Sequence, residues 1–135
     1  MAPMTQRGVL KVVDVLVVDD DEAVRSSLAE ILRRNGMSTA EAADGLDALE
    51  HLETSQVGVV VLDVRMSRLD GLQLLDRLDD PPPIVLVTGE PCDEEIMAKE
   101  PKIASFLQKP VAPLELVAIV ARCLRTKKRS NPARR

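Results

Sequence analysis

The sequence predicts an α/β fold in which a doubly wound parallel sheet of five strands is covered by five helices. Short, continuous apolar runs alternate strictly with segments whose apolar residues recur at helical spacing. Strands that are apolar throughout are typical of a parallel sheet, because helices cover both of its faces. Right-handed crossovers between successive strands then produce the doubly wound arrangement.

The first predicted strand is Val12–Val18, a dense Val and Leu run that ends abruptly at four acidic residues. Apolar residues then fall on one face of a helix, which Gly36 is expected to end. Met37–Ala42 is a short alternating strand. Asp44-Gly45 begins the second helix, whose apolar stripe consists of Leu46, Leu49 and Leu52.

The middle of the chain continues the alternation. Val57–Leu62 is predicted to be the third strand, and Asp63 follows it directly. Asp70 is suited to cap a leucine-rich helix that runs through Leu78. Three prolines at 81–83 force an extended entry into the fourth strand, Ile84–Val87.

The last third supplies a weaker helix, a strand and a long helix. The weaker helix covers about Asp93–Lys99, and the fifth strand is Ala104–Gln108. Pro113 suits the first position of the last helix. Its inward face is predicted to consist of Leu114, Val117, Ala118, Ala121 and Leu124.

Composition excludes several classes of function. No apolar run approaches the roughly 20 residues of a membrane helix, and Met1–Gly8 lacks a signal-peptide core, so neither membrane insertion nor export is expected. Cys92 and Cys123 lie far apart without metal-ligand spacing, which disfavours zinc and disulfides and suits a reducing cytoplasm. One Phe and no Tyr or Trp make base stacking on nucleic acid improbable.

The chain is predicted to have three parts, of which the last differs from the rest in charge. Residues 1–11 form an N-terminal arm, 12–125 the domain, and 126–135 a tail with five basic residues and no acid. The remaining body has 13 basic and 22 acidic residues, so its net charge of −9 disfavours general nucleic-acid binding. The basic tail is expected to be disordered.

Polar residues follow the apolar strands where each strand ends. Asp19 and Asp20 end the first strand, Asp63 the third, Thr88 the fourth and Lys109 the fifth. Carboxyl ends of parallel strands share one edge, where such folds bind ligands. Three converging carboxylates repel one another, and a hard cation such as Mg²⁺ or Mn²⁺ would relieve that repulsion. The sequence therefore predicts a site for a phosphoryl group on a carboxylate.

Five segments together resemble the receiver domain of bacterial two-component response regulators. They are Val15–Asp21, Val60–Met66, Asp70-Gly71, Val85–Gly89 and Phe106–Pro110. The resemblance covers about residues 12–125 and implies a flavodoxin-like sheet with strand order 2-1-3-4-5. It also implies a phosphorelay protein rather than an enzyme with its own substrate.

The resemblance assigns roles around the acidic cluster. Asp63 is implied as the phosphoacceptor and Asp20 as a direct Mg²⁺ ligand. Asp19 is its neighbour, acting directly or through water, and the backbone carbonyl of Arg65 is a third protein ligand. Ser67-Arg68 replaces the Pro-Gly that is frequent in this loop, which puts the rigidity of the loop in question.

The resemblance also implies a switch. Thr88 is implied to supply the hydroxyl group of the switch, and Phe106 to be its rotating aromatic residue. Lys109 is implied to pair with the phosphoryl group. Arg65 and Glu90, two residues past Asp63 and Thr88, are implied to tune the lifetime of the phosphorylated state. The Lys109–Pro110 bond is expected to be cis.

The implied partners are a sensor histidine kinase or a histidine phosphotransfer protein, and a downstream protein that binds the face of the fourth helix, fifth strand and last helix. A phosphorylation-dependent dimer is a further use of that face. Two alternatives stay open: a magnesium-dependent phosphatase of haloacid dehalogenase type, and a degenerate receiver that interacts without phosphate. The phosphatase class requires an acidic residue at the position that Arg65 occupies, which disfavours it. A degenerate receiver does not require the acidic cluster, so the presence of the intact cluster disfavours that alternative.

Overall fold

Five parallel strands form one sheet in the computed structural model, which describes residues 11–89 and 94–133. The strands are β1 (Lys11–Val18), β2 (Thr39–Ala42), β3 (Ser55–Asp63), β4 (Ile84–Thr88) and β5 (Ser105–Gln108). Their order is β2-β1-β3-β4-β5, and every neighbouring pair is parallel. The predicted fold class and strand order are therefore confirmed.

Five helices connect or follow the strands, with a short 3-10 helix at Glu100–Lys102. They are α1 (Glu22–Arg34), α2 (Gly45–Thr54), α3 (Gly71–Asp76), α4 (Glu94–Ala98) and α5 (Pro113–Ala133). None of them, in the part of the chain described, is long and apolar enough to cross a membrane.

Aspartates cap the first three helices. Asp21 accepts backbone hydrogen bonds from Ala23 and Val24, Asp44 accepts one from Asp47, and Asp70 forms a capping box with Gln73. Beyond the end of α1, Gly36 adopts a φ of 86°, which glycine permits at little cost. The predicted helix starts at Asp44 and Asp70 and the stop at Gly36 are confirmed.

Two helix ends differ from the predictions. α3 ends at Asp76 rather than Leu78, and Lys102 Nζ donates to the carbonyl oxygens of Leu75 at 2.6 Å and Leu78 at 2.7 Å. These bonds satisfy carbonyls that continuing helix would otherwise have used. α5 runs to Ala133 and so enters the segment predicted to be disordered. Extending an existing helix is easier than nucleating one, and Lys and Arg are good helix formers.

The inward face of α5 was predicted correctly only in part, since Leu124 packs against the apolar cluster on that side of the sheet. Among the residues of α5 whose exposure is described, the buried ones are Leu116, Val120 and Cys123, whereas Leu114 is 85% exposed. Ala118 is also exposed. Both sets of residues recur at helical spacing, so periodicity alone does not choose between them.

Each face of the sheet carries its own apolar cluster. Residues that alternate along β1 and β3 contribute to opposite faces: Leu16 and Leu62 pack in one cluster, Val17 and Val61 in the other. The first cluster includes side chains of α2, α3 and α4, and the second includes those of α1 and α5. Because both faces are covered, polar chemistry is confined to the edges of the sheet.

Candidate functional site

Three carboxylates meet at the carboxyl edge of the sheet. Asp19 and Asp20 follow β1 directly, and Asp63 is the last residue of the neighbouring β3. One carboxylate oxygen of each residue lies within 4.8 Å of the others. Asp19 and Asp63 are buried, and Asp20 is exposed. The structure thus brings together the three acidic residues that the sequence placed at strand ends.

Backbone hydrogen bonds orient two of these carboxylates. Asp19 Oδ1 accepts from the Asp21 N–H at 2.9 Å. Asp20 Oδ2 accepts from the Ser67 N–H at 3.1 Å, which ties it to the loop after β3. Arg25 Nη1 donates to the Asp19 carbonyl at 2.9 Å while its Nε contacts Glu41 at 3.1 Å. The turn after β1 is therefore fixed both by the loop after β3, through Ser67, and by α1, through Arg25.

Lys109 supplies a positive charge to the cluster. It follows β5, and its Nζ lies 3.2 Å from Asp63 Oδ1 and 3.4 Å from Asp19 Oδ2. Its backbone N–H donates to the Thr88 carbonyl at 2.9 Å. The Lys109–Pro110 peptide is cis, as expected.

Burial and charge shift the pKa values of this pair. Burial, reinforced by the negative charge of Asp19, raises the pKa of Asp63 to about 6, although Lys109 opposes the shift. Burial lowers the pKa of Lys109, but the charges of Asp63 and Asp19 outweigh it, so the net shift is upward. Near neutral pH an ionised Asp63 therefore faces a protonated Lys109.

The donor set suits a hard divalent cation. Three carboxylates carry more negative charge than one lysine balances, and carboxylate oxygens are the ligands that Mg²⁺ prefers. Arg65 lies in the loop two residues after Asp63, and its side chain is exposed. The assignment of its carbonyl as a further ligand stays a prediction.

The predicted switch residues lie on adjacent strands. Thr88 ends β4 at the same edge of the sheet and is 8% exposed. Phe106 lies on β5 opposite Leu86 and is 40% exposed. Glu90, predicted to tune phosphate lifetime, and Cys92 lie outside the described residues.

Gly71 lies in close contact with the backbone of Asp63 and Val64. Its N–H donates to the Val64 carbonyl at 2.9 Å, and a Cβ there would overlap the Asp63 carbonyl oxygen. At Gly89 a Cβ would lie 3.9 Å from Lys109 Cβ, an ordinary contact. Asp70-Gly71 was recognised as a motif, but the reason for its glycine is visible only in the packing.

Sequence reasoning missed one ion pair near the site. Arg68 Nε lies 2.6 Å from Asp44 Oδ2, and Arg68 adopts a φ of 54°. This contact holds the pKa of Asp44 below its usual value, although burial opposes the shift. The sequence indicated Asp44 as a helix start and Ser67-Arg68 as an unusual loop. It carried no signal that two segments so far apart would meet.

Comparisons with known proteins agree with this geometry. Residues 15–121 match a family model described as the response regulator receiver domain. Response regulator MprA of Mycobacterium tuberculosis (strain ATCC 25618 / H37Rv) is 39% identical over 125 residues, which cover 90% of this chain and 54% of that protein. The chain therefore spans about half the length of this curated relative.

Solved structures show the same resemblance. The receiver domain of NtrX from Brucella abortus is 32% identical with a TM-score of 0.76, covering 84% of this chain and 99% of that chain. The receiver domain of the Francisella response regulator 1452 is 28% identical with a TM-score of 0.78, covering 85% and 98% respectively. Both similarities extend over nearly the whole of the compared domain.

Proposed function

Because the chain belongs to the family of response regulator receiver domains, we propose that it is a phosphorylation-controlled switch with Asp63 as the phosphoacceptor. The observation that carries the proposal is the buried Asp63 carboxylate, with Lys109 Nζ at 3.2 Å and two further carboxylates beside it. The phosphoryl donor is a histidine kinase or a histidine phosphotransfer protein. A cytoplasmic location, which the cysteine content favours, is part of the proposal.

The transfer needs little covalent work by the protein. A carboxylate oxygen of Asp63 attacks phosphorus, a P–O bond forms, and the P–N bond of phosphohistidine breaks with its electron pair going to the imidazole nitrogen. Lys109 neutralises a phosphoryl oxygen, and the Thr88 hydroxyl donates to another. Held by Asp19, Asp20 and Asp63, Mg²⁺ or Mn²⁺ would supply further charge neutralisation.

A groove beside Lys109 is the proposed docking place of the phosphodonor. It has a volume of about 550 Å³ and is lined mostly by apolar atoms of α1 and of the segment after β5. Its lining residues are Ala23, Val24, Ser27, Leu28, Lys109, Pro110 and Val111. The groove borders the acidic cluster, because Lys109, which lines it, also contacts Asp63 and Asp19.

The face formed by α4, β5 and α5 is the proposed output surface. Among the described residues, the large apolar side chains that are exposed include one on each of these elements: Met97 at 53%, Phe106 at 40% and Leu114 at 85%. Exposed apolar side chains suit a protein partner. A downstream target, or a second phosphorylated copy of this chain, would bind there.

The lifetime of the phosphorylated state is proposed to depend on Arg65 and Glu90. Arg65 is exposed in the loop that borders the acidic cluster, where its side chain can admit or exclude water. Dephosphorylation of Arg65→Ala and Glu90→Ala should differ in rate from wild type, as followed by loss of the phosphoryl adduct. Unchanged rates in both variants would remove these residues from the proposal.

The two alternatives fit less well. A phosphatase of haloacid dehalogenase type wants an acid two residues after its nucleophile, and Arg65 stands there. A degenerate receiver would not need the arrangement of Asp19, Asp20, Asp63 and Lys109. The family match, across residues 15–121, favours the receiver over the phosphatase.

Intact-mass measurement tests the proposal. Incubation with phosphoramidate, which carries the P–N bond of phosphohistidine, and Mg²⁺ should add one phosphoryl group to the wild type. Asp63→Asn should gain none, whereas Asp80→Asn, a control at an exposed acid remote in sequence from the cluster, should be labelled like wild type. Labelling that persists in Asp63→Asn would refute the assignment.

A further inference from the structure

We propose that Arg68 is a positioning residue for the divalent-cation site, acting through its ion pair with Asp44. The inference rests on the proposed function, since it concerns the same acidic cluster. The pair joins the loop after β3 to the start of α2, two segments that the sequence separates by 24 residues. Its effect on the cluster follows from three contacts made by consecutive loop residues.

The backbone of Arg68 itself requires an anchor. In the described ranges it is the non-glycine residue with a positive φ, 54°, a conformation that costs free energy for a residue with a Cβ. Such a conformation persists only when surrounding contacts hold it. The side chain of Arg68 provides such a contact, because its Nε lies 2.6 Å from Asp44 Oδ2.

The Asp44 end of the pair is fixed. Its side chain is buried, and its Oδ1 accepts the Asp47 N–H at 2.9 Å, so it cannot swing toward solvent without uncapping α2. Arg68 is 59% exposed, which by itself would indicate a weak pair. Losing Arg68 therefore costs little free energy by itself, but it removes the side-chain contact that fixes the loop after β3 to the start of α2.

The next residue strengthens the same junction. The Gly45 N–H donates to the Leu69 carbonyl at 2.9 Å, and a Cβ on Gly45 would overlap that carbonyl. Residues 68 and 69 are therefore both seated on the N-terminus of α2. The loop cannot slide along the helix end while both contacts remain.

The preceding residue carries the effect to the cluster. The Ser67 N–H donates to Asp20 Oδ2 at 3.1 Å, and Asp20 is the exposed member of the three carboxylates. The orientation of Asp20 thus depends on Ser67, and the next residue in the loop, Arg68, fixes the loop to α2. Loss of the Arg68–Asp44 ion pair lets the loop and Asp20 adopt other positions, which lowers the affinity of the cluster for a cation.

Calorimetric titration of Mg²⁺ into the full chain tests the inference. Arg68→Gly removes the ion pair yet accepts the positive φ, so it separates anchoring from backbone strain. Asp44→Asn keeps a good N-cap but removes the charge. Each should weaken Mg²⁺ binding by about tenfold, the magnitude typical of groups that orient metal ligands. The double variant should be no weaker than either single variant.

Two controls and a second readout complete the test. Arg68→Lys should retain near wild-type affinity, and so should Arg34→Ala, which breaks the exposed pair with Glu30 on α1. In metal-free protein, amide exchange at Ser67 should be faster in Arg68→Gly and Asp44→Asn.

The outcomes separate this inference from the proposed function. Wild-type Mg²⁺ affinity in both anchor variants overturns the inference, whether or not exchange at Ser67 accelerates. A wild-type protein that binds no Mg²⁺ and accepts no phosphoryl group instead overturns the proposed function. Weak binding in the anchor variants, with labelling of Asp63 retained at saturating Mg²⁺, supports both.

Discussion

Lys109 places its ammonium group 3.2 Å from Oδ1 of Asp63, yet the pKa of Asp63 is raised rather than lowered. Burial of the carboxyl group and the neighbouring charge of Asp19 outweigh the attraction of the lysine. The folded protein therefore holds an ionised Asp63 at a cost, which a cation or a change of charge at this position would relieve.

A pH-dependent stability difference between wild type and Asp63→Asn follows. The pKa of Asp63 rises from an ordinary 3.8 to about 6 on folding. Its favourable contribution is therefore complete below about pH 3.8 and is lost as the pH rises through about 6. In EDTA, Asp63→Asn should be the more stable protein near neutral pH, by at most about 3 kcal/mol.

Urea unfolding followed by circular dichroism, from about pH 8 down to about pH 4, measures this difference. The advantage of Asp63→Asn should shrink as the pH falls, because wild-type Asp63 becomes protonated. Lys109→Ala removes the opposing charge, so in that background the shrinkage should begin at higher pH. A stability difference between Asp63→Asn and wild type that stays constant across this pH range would contradict the raised pKa of Asp63.

Metal binding should depend on Asp20. Because a ligand that binds the folded state raises its stability, Mg²⁺ should raise the melting temperature of wild type. Asp20→Ala removes one oxygen donor of the three-carboxylate cluster, so most of that rise should disappear. Glu22→Gln, a nearby exposed acid on α1 that is not in the cluster, is the matched control and should behave as wild type.

Gly71 and Gly89 should respond differently to alanine. A Cβ at Gly71 would overlap the Asp63 carbonyl and crowd Val64, both of which are backbone, so the loop must move. Gly71→Ala should lower stability by about 1–3 kcal/mol and slow phosphorylation of Asp63. Gly89→Ala meets only an ordinary contact with Lys109 and should fold as wild type. Equal unfolding midpoints for the two variants would disprove this difference.

Particular residues show what the sequence could predict. Asp19, Asp20 and Lys109 follow strands and Asp63 ends one. Because a parallel sheet brings strand ends to one edge, their convergence was predictable from order alone. The strand runs were recognisable because burial on both faces makes them apolar throughout. The positions that depend on such general rules were predicted well.

Other positions depend on packing that no local pattern encodes. The inward face of α5 required a choice between two stripes of equal spacing, and Leu114 was assigned to the wrong one. The end of α3 depends on Lys102, a residue from another segment. Arg68 meets Asp44 only because the loop after β3 lies against the start of α2. Long-range contacts of this kind leave no periodic signal.

Removing residues 126–135 should leave the domain folded and Asp63 reactive. Cys123 is the last buried residue of α5 among those whose exposure is described, and Thr126, the first residue removed, is exposed. The unfolding midpoint and the acceptance of a phosphoryl group by the truncated chain should match the full chain. A clearly lower midpoint would show that the segment contacts the domain.

Phosphorylation must be converted into a change of surface, and Thr88 and Phe106 are the residues expected to do this. Thr88 lies at the rim of the acidic cluster, and Phe106, on the adjacent strand, is 40% exposed. When a phosphoryl group occupies Asp63, the Thr88 hydroxyl should move toward it and draw its loop along. The vacated space should let Phe106 turn inward, which buries apolar area but gains no hydrogen bond.

Thr88→Ala should therefore accept the phosphoryl mimic beryllium fluoride at Asp63 yet transmit little to the face of α4, β5 and α5. Amide shifts with and without the mimic report this directly, at the active-site loops and at Met97 and Phe106. Thr88→Ser keeps the hydroxyl and should restore the distal shifts, which separates the hydroxyl from packing at this position. If Thr88→Ala shows the full wild-type pattern of distal shifts, the coupling runs through other residues and this mechanism is wrong.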